Sequence, residues 1–225
     1  MVSLRGSVET ARTHPSGVLL VVQLFTVLAY PFLGDSVWGR SVLGVVQLCV
    51  VVAALAAVRR TPALTWFAVL LGVPAMLFTI LEAFQPDQDT VVLVSALLHA
   101  PFYFYVSYAM IRYLFHDERV TRDELFATGA AFTVVAWGFA YVYAATQVIW
   151  PGSFVGTGGA GDRPWFELLF LSFSTLTSVG LSDIVPVGEH ARSFLMVEAV
   201  AGVFYVALVV ARLVGLTVLG RRPEA

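Results

Sequence analysis

The sequence predicts an all-α integral membrane protein. Hydrophobic residues make up 59% of the 225-residue chain and charged residues only 12%, and the mean hydropathy is +0.84. A typical soluble domain has about 45–50% apolar and about 25% charged residues. Apolar segments of the length that one helical crossing of a bilayer needs, about 17 to 25 residues, recur along the chain. These observations place the chain in a lipid bilayer.

Six of these segments are predicted to be transmembrane helices. They cover residues 17–33, 41–58, 62–83, 91–115, 125–150 and 194–219. A shorter apolar piece, Trp165 to Leu176, is too short to cross the hydrocarbon and is predicted to be a re-entrant helix. A cleaved signal peptide is the alternative for the first segment, but Tyr30-Pro31-Phe32 does not suit a cleavage site, so we expect a retained helix.

The arginines predict the orientation, because cytoplasmic loops carry an excess of basic residues. All thirteen cationic side chains are arginine, and a cytoplasmic amino terminus leaves only Arg40, Arg163 and Arg192 outside. We therefore expect a multi-pass protein of the plasma (inner) membrane with both termini cytoplasmic. The arginines expected inside are Arg5, Arg12, Arg59, Arg60, Arg112, Arg119, Arg122, Arg212, Arg221 and Arg222.

Polar residues follow the predicted re-entrant helix. Asp162 is expected to cap this helix, with Pro164 in its first turn. The carboxyl end of the helix then points to the middle of the membrane, where its partial negative charge favours a cation. The chain must return outward through residues 177–183, and backbone carbonyls are tolerated at this depth only where they are buried in protein or line a water-filled path. The segment thus predicts a cation-conducting pore loop.

Gly180 permits a positive φ that turns successive carbonyls toward one axis, and Thr177 and Ser178 supply hydroxyl groups near the inner entrance. One strand forms only one side of each carbonyl ring, so we expect a homotetramer. The alternative is an ordinary outer turn, since these residue types are common in turns. Asp183 lies at the expected outer mouth.

The motif resembles that of a known family. Ser178-Val179-Gly180-Leu181-Ser182 resembles the T-V-G-Y-G filter of potassium channels, residues 170–180 look like the pore helix and filter entry, and residues 182–187 resemble the G-D-I-x-P exit. Residues 205–216 are similar to the inner helix of bacterial potassium-channel-like proteins, which have a two-helix pore module. The resemblance covers residues 120–216.

The resemblance implies a tetrameric, potassium-conducting cation channel without a cofactor. It places the potassium sites at Thr177, Ser178, Val179, Gly180 and Leu181, and residues that support or gate the pore at Thr175, Glu198 and Gly202. Two residues depart from the family pattern. Leu181 replaces the aromatic residue that braces the filter, and Ser182 replaces the second glycine, where a positive φ would cost about 1 kcal/mol.

These expectations divide the chain into four parts: a cytoplasmic amino-terminal segment (1–16), a four-helix membrane domain (17–119), a pore domain (120–219) and a short cytoplasmic tail (220–225). The four-helix domain has the layout of a voltage sensor, but Arg112 is the only arginine in its fourth helix. Steep voltage gating needs several charges, so we expect weak or absent voltage dependence. The tail is too short to be a ligand-binding domain.

Several alternatives stay open at this point. Within the same fold, the protein could be a poorly selective or non-conducting cation channel, or an accessory subunit. A secondary transporter with its broken segment near residues 177–180 is the alternative from another class. The sequence lacks zinc-helix, nucleophile-elbow and P-loop motifs, so we expect no enzyme. The net charge of -2 gives no reason to expect nucleic acid as a partner.

Four residues outside the expected filter carry specific predictions. Glu198 is expected to be a hydrogen-bonded brace behind the filter, and Gly202 to be either a hinge or a site of close helix packing. His99 is expected to make hydrogen bonds between helices, with a pH sensor as the alternative. Glu82 is expected to be a solvated or snorkelling carboxylate, and the glycine-rich residues 156–161 to be a flexible loop.

Overall fold

The computed structural model describes residues 15–34, 36–57, 62–85, 88–114 and 122–219. Seven helices lie in these ranges. They are α1 (Pro15–Leu33), α2 (Val37–Ala57), α3 (Pro62–Phe84), α4 (Asp89–Leu114), α5 (Arg122–Ile149), α6 (Trp165–Leu176) and α7 (Glu189–Leu219). The predicted cytoplasmic tail, residues 1–14 and the link between α4 and α5 lie outside the described residues.

Four helices are long and apolar enough to cross a membrane within the described residues. The qualifying stretches are Ser16–Leu33, Asp89–Arg112, Asp123–Ile149 and Glu189–Arg212. α2 and α3 contribute the shorter apolar stretches Val37–Val46 and Val69–Phe84. The six predicted helices are therefore present in this part of the chain, and four of them meet the requirements for a membrane span.

The helix bounds agree with prediction to within a few residues, and α6 has the predicted bounds. The largest difference is at α7, which begins at Glu189 and not at residue 194. The backbone N–H of Arg192 donates to the Gly188 carbonyl at 3.0 Å. The first turn of α7 contains the polar residues Glu189, His190 and Arg192. A prediction from apolar residues alone therefore placed the start of the helix too late.

α5 lies at the centre of the packing, with α4 along one side of it. Small side chains on α5 are almost completely buried and permit close helix approach: Ala127, Ala130, Ala131, Ala136 and Ala140. The rings of Tyr103 on α4 and Trp137 on α5 meet edge to face, with their centroids 5.8 Å apart. α6 packs between α5 and α7 and contributes the buried Leu168, Leu169 and Leu171.

A small antiparallel sheet stands between α5 and α7. Its strands are β1 (Phe154–Gly156), β2 (Gly159–Ala160) and β3 (Val185–Pro186), in the order β2-β1-β3. The glycine-rich residues that were expected to form a loop thus form a β-hairpin. Phe154 pairs with Pro186 and Val155 with Val185. This pairing joins the chain before α6 to the chain that leaves the predicted filter.

Most of α7 is exposed in the single subunit. Only 11% of its membrane-crossing stretch is buried. Its exposed apolar side chains are Met196, Val197, Val200, Val203, Phe204, Val206, Leu208 and Val210. This surface is available to lipid or to another protein chain.

Candidate ion-conducting site

The short helix α6 begins without the predicted side-chain cap. Its N-cap is Pro164, with φ -55° and ψ 148°, and no side chain caps the helix. The predictions of an Asp162 cap and of Pro164 inside the first turn were therefore wrong. The ring of Pro164 fixes its φ near this value, and its carbonyl accepts the N–H groups of Glu167 and Leu168 at 3.0 and 3.2 Å. Asp162 is exposed two residues earlier.

The chain turns sharply where α6 ends. Thr177 donates its backbone N–H to the Phe173 carbonyl at 3.1 Å, and its hydroxyl donates to the same carbonyl oxygen at 2.6 Å. The backbone N–H of Ser178 donates to the carbonyl of the half-buried Thr175 at 2.9 Å. These bonds satisfy carbonyl groups at the carboxyl end of α6 and fix where the filter segment starts.

Two residues of the filter segment have left-handed backbone conformations. Gly180 has φ +68°, in agreement with the prediction for that residue, and Ser178 has φ +61°. Ser182 does not have a positive φ, so the expected strain at that position was wrong. A side chain at positive φ costs roughly 1–2 kcal/mol. The strain therefore falls on Ser178 and not on Ser182.

Ser174 of α6 holds the returning chain. Its carbonyl oxygen accepts the backbone N–H groups of Val179 and Gly180, both at 3.1 Å. Its hydroxyl oxygen accepts the backbone N–H of Ser182 at 3.0 Å. The Ser182 hydroxyl in turn accepts the N–H of Ile184 at 3.1 Å. One residue of the short helix thus fixes three amides of the filter segment.

These bonds determine where the carbonyl groups point. No described peptide bond is cis, and in a trans peptide the N–H and the preceding C=O point in opposite directions. The amides of Val179, Gly180 and Ser182 point to Ser174. The carbonyls of Ser178, Val179 and Leu181 therefore point away from α6, and the segment presents several carbonyl oxygens on its free side.

Side chains of the filter segment are mostly exposed in the single subunit. Val179 is 58% and Leu181 75% exposed, and Thr177, Ser178, Gly180 and Asp183 also belong to the exposed class. Asp183 accepts a long hydrogen bond, 3.5 Å, from the Thr157 hydroxyl in the hairpin turn. Leu181 thus makes little contact with α6.

Glu198 is completely buried and joins three helices. One carboxylate oxygen accepts the Tyr143 hydroxyl of α5 and the other accepts the Ser172 hydroxyl of α6. Ser172 also lies 2.8 Å from the Ala136 carbonyl of α5. This arrangement agrees with the predicted brace. It ties α7 to the short helix two residues before Ser174.

Gly202 of α7 lies against the end of α6. A Cβ added to Gly202 would overlap the Leu176 carbonyl and come within 3.0 Å of the Leu176 Cα. Gly202 is buried in an unbroken helix of 31 residues. Of the two predicted roles, close helix packing is the one that the geometry supports.

His99 and Glu82 lie away from the filter segment. The His99 ring is completely buried; its Nε2 lies 2.9 Å from the Thr79 hydroxyl of α3 and its Nδ1 lies 2.8 Å from the Ser95 carbonyl. It therefore links α3 and α4, as predicted. Glu82 accepts the Ser95 hydroxyl at 2.5 Å. Glu82 is half-buried, so it is not fully solvated; the snorkelling alternative stays a prediction.

The sequence reasoning missed Ser174, Ser172, Tyr143 and the strain at Ser178. One signal was present in the sequence. Ser172 and Ser174 lie in an otherwise apolar helix of 12 residues. Polar groups buried in a membrane protein need partners, so each serine predicts a hydrogen-bonded neighbour. The neighbour of Ser172 depends on the packing of α6 against α5 and α7, and that of Ser174 on the return of the filter segment, so spacing does not identify either.

Comparison with known proteins finds a match in the same part of the chain. Residues 129–218 match a family model described as "Ion channel". The match begins in α5, includes α6 and the filter segment, and ends near the last residue of α7. This ion-channel domain is a pore module, and its family is not one of enzymes. No curated protein and no solved structure matches the chain.

Proposed function

We propose that the protein is a tetrameric cation channel that conducts potassium through the backbone carbonyls of Ser178 to Ser182. The observation that carries the proposal is the bonding of three filter amides to Ser174, which leaves carbonyl oxygens on the free side of the chain. Rings of such carbonyls replace the hydration shell of potassium in channel filters. Thr177 supplies a further hydroxyl at the inner end.

The surrounding charges favour a cation. The carboxyl end of α6 carries a partial negative charge and lies immediately before the filter segment. The exposed Asp183 adds a full negative charge on the opposite side of the segment. No resident cofactor is part of this proposal, and the permeant monovalent cation is the substrate.

The tetramer is proposed from what a single subunit lacks. One strand supplies one carbonyl to each ring, so a closed ion site needs copies around an axis. The filter segment is exposed, and the apolar face of α7 is unpartnered within the described residues. Packing of this face around a fourfold axis would bring the carbonyl rows together.

The selectivity of the filter is proposed to depend on Ser174. The aromatic brace of related filters is replaced by the exposed Leu181. Here Ser174 fixes the filter backbone instead of an aromatic brace. Glu198 and Gly202 of α7 pack against α6 and position it. A poorly selective or non-conducting cation channel is the alternative within this fold, and it would arise if these contacts do not hold the carbonyl rings open.

The remaining helices are proposed to complete a subunit with six membrane spans in the plasma (inner) membrane, both termini cytoplasmic. α1 and α4 pack directly on α5 of the pore module, α2 packs on α1, and α3 packs on α4. Arg112 is the only arginine of α4, so this part of the protein resembles a voltage sensor in layout alone.

Two measurements test the proposal. Native mass spectrometry of the detergent-solubilised protein should give four chains in each complex, and planar bilayers should show unitary currents. A complex of another size would contradict the tetramer. Slow, saturable flux without unitary currents would instead favour a secondary transporter, whose broken helix binds substrate at the membrane midplane. Gly180→Ala is the matched negative control, since alanine at φ +68° is strained.

A further inference from the structure

A cavity of about 820 Å³ lies between the first four helices and the pore module. Its size is within the usual range for ligand sites, about 300 to 1,000 Å³. Residues of all six helices from α1 to α6 line it, so it lies at the junction between the two parts of the chain. It is separate from the filter segment, none of whose residues line it.

Five charged residues line this cavity: Arg40 of α2, Glu82 of α3, Asp89 of α4, and Asp162 and Arg163 before α6. Asp89 and Asp162 are exposed, and Arg163 pairs with Glu167, so Arg40 and Glu82 are the two half-buried charges that remain. Arg40 donates to the Gly34 carbonyl at 2.9 Å and to the Ala83 carbonyl at 3.1 Å. The second bond places the guanidinium beside the residue that follows Glu82. The ion pairs of the described residues join Arg163 to Glu167 and Arg212 to Glu124. Neither Arg40 nor Glu82 belongs to these pairs.

Neither charge is fully matched by its protein neighbours. A guanidinium has five donors, and Arg40 Nε has no hydrogen-bond partner among the described residues. Glu82 has one hydrogen bond, from Ser95. A buried charged group is costly unless it is paired or hydrogen-bonded. The missing partners are an anionic group for Arg40 and a cationic group for Glu82.

The remaining walls are largely aromatic. Tyr30, Trp137, Tyr141, Trp165 and Phe166 line the same cavity. The rings of Tyr30 and Phe166 stack with their centroids 4.4 Å apart, and the ring centroids of Tyr141 and Trp165 are 5.5 Å apart. Such walls suit an apolar body and attract an ammonium group through the ring faces.

We propose that this cavity binds a zwitterion that carries an apolar body, with its ammonium group at Glu82 and its carboxylate or phosphate at Arg40. Two sources share this chemistry: a free aromatic amino acid and the headgroup of a phosphatidylethanolamine lipid. The occupant would contact Trp165 and Phe166, the first residues of α6. Binding can be measured without recording current. The test of this proposal is therefore independent of the proposed channel function.

The experiment uses purified full-length protein. Equilibrium dialysis with radiolabelled L-phenylalanine tests the free amino acid, and native mass spectrometry from nanodiscs of phosphatidylethanolamine and phosphatidylglycerol tests the lipid. We expect binding in one arm: saturable phenylalanine binding identifies a free ligand, and retention of phosphatidylethanolamine over phosphatidylglycerol identifies a lipid. In the first case, phenethylamine and 3-phenylpropionate should each bind at least tenfold more weakly, because each lacks one charge.

Glu82→Gln should weaken the observed binding by at least tenfold, since glutamine keeps the shape and an acceptor for Ser95. Glu189→Gln is the matched control on the exposed first turn of α7, and it should bind as the unmodified protein does. Arg40→Gln should weaken binding similarly; if it does not fold, Glu82→Gln decides alone. Absence of binding in both arms, or undiminished binding by Glu82→Gln, would overturn the proposal.

Discussion

The Ser174 hydroxyl oxygen accepts the backbone N–H of Ser182 at 3.0 Å, across the turn that joins α6 to the filter segment. The two residues are eight positions apart. Their hydrogen bond fixes the outer end of the segment, while the Ser174 carbonyl fixes its middle. The filter geometry therefore depends on a side chain of the short helix and not only on the filter sequence.

Ser174→Ala removes the hydroxyl but leaves the backbone carbonyl that accepts Val179 and Gly180. A net hydrogen bond is worth about 1 kcal/mol, so we expect the potassium-to-sodium permeability ratio to fall by about fivefold. Reversal potentials in mixed salts measure this ratio. Ser193→Ala, at an exposed serine of α7, is the control. An unchanged ratio in Ser174→Ala would show that this bond does not maintain selectivity.

Glu198→Ala should destabilise the protein by about 2–4 kcal/mol, because Tyr143 loses its buried acceptor and a cavity remains between three helices. Glu198→Gln keeps one acceptor oxygen and should cost about 1 kcal/mol. Thermal unfolding of both variants in the same detergent measures the difference. Equal stability of Glu198→Ala and the unmodified protein would exclude a bracing role.

Gly202→Ala should displace the end of α6, because its methyl group would overlap the Leu176 carbonyl. Overpacking of this kind costs about 1–3 kcal/mol, and the displacement falls next to the filter, so we expect the unitary conductance to fall at least severalfold. Gly215→Ala is a matched control on the same helix, since its added methyl group meets no atom within 4 Å. Currents of normal size in Gly202→Ala would favour a hinge over packing.

Voltage should have little effect on the open probability. One elementary charge crossing the membrane field is worth about 2.3 kcal/mol per 100 mV, and Arg112 is the only arginine of α4. We expect an apparent gating charge below about one per subunit, measured from open probability against voltage. A steeper relation would mean that charges outside α4 move through the field.

Hydropathy and turn chemistry predict the helices well, but not their hydrogen bonds. The helix Trp165–Leu176 has the predicted bounds, which follow its short apolar run after Pro164. Its length also excludes a membrane crossing. Glu198 could be predicted as a brace since a buried carboxylate needs donors. Its donors, Tyr143 and Ser172, are 55 and 26 residues away, so they depend on tertiary packing.

The filter shows the same limit. Gly180 could be assigned a positive φ because glycine adopts it without strain. The positive φ of Ser178 follows from the sharp turn after Leu176, where the amides of Val179 and Gly180 share one acceptor. The Ser174 hydroxyl accepts the N–H of Ser182, and Ser182 does not have a positive φ, so the predicted strain is absent there. A comparison of single positions with a family pattern cannot reveal that the positive φ lies at Ser178 and not at Ser182.

The most direct test of the central claim is the reversal potential of purified protein in planar bilayers, with potassium on one side and sodium on the other. The account predicts unitary currents that reverse near the potassium equilibrium potential and are lost in Gly180→Ala. Currents that reverse near zero, or that persist unchanged in Gly180→Ala, would contradict a selective filter built from the carbonyls of Ser178 to Ser182.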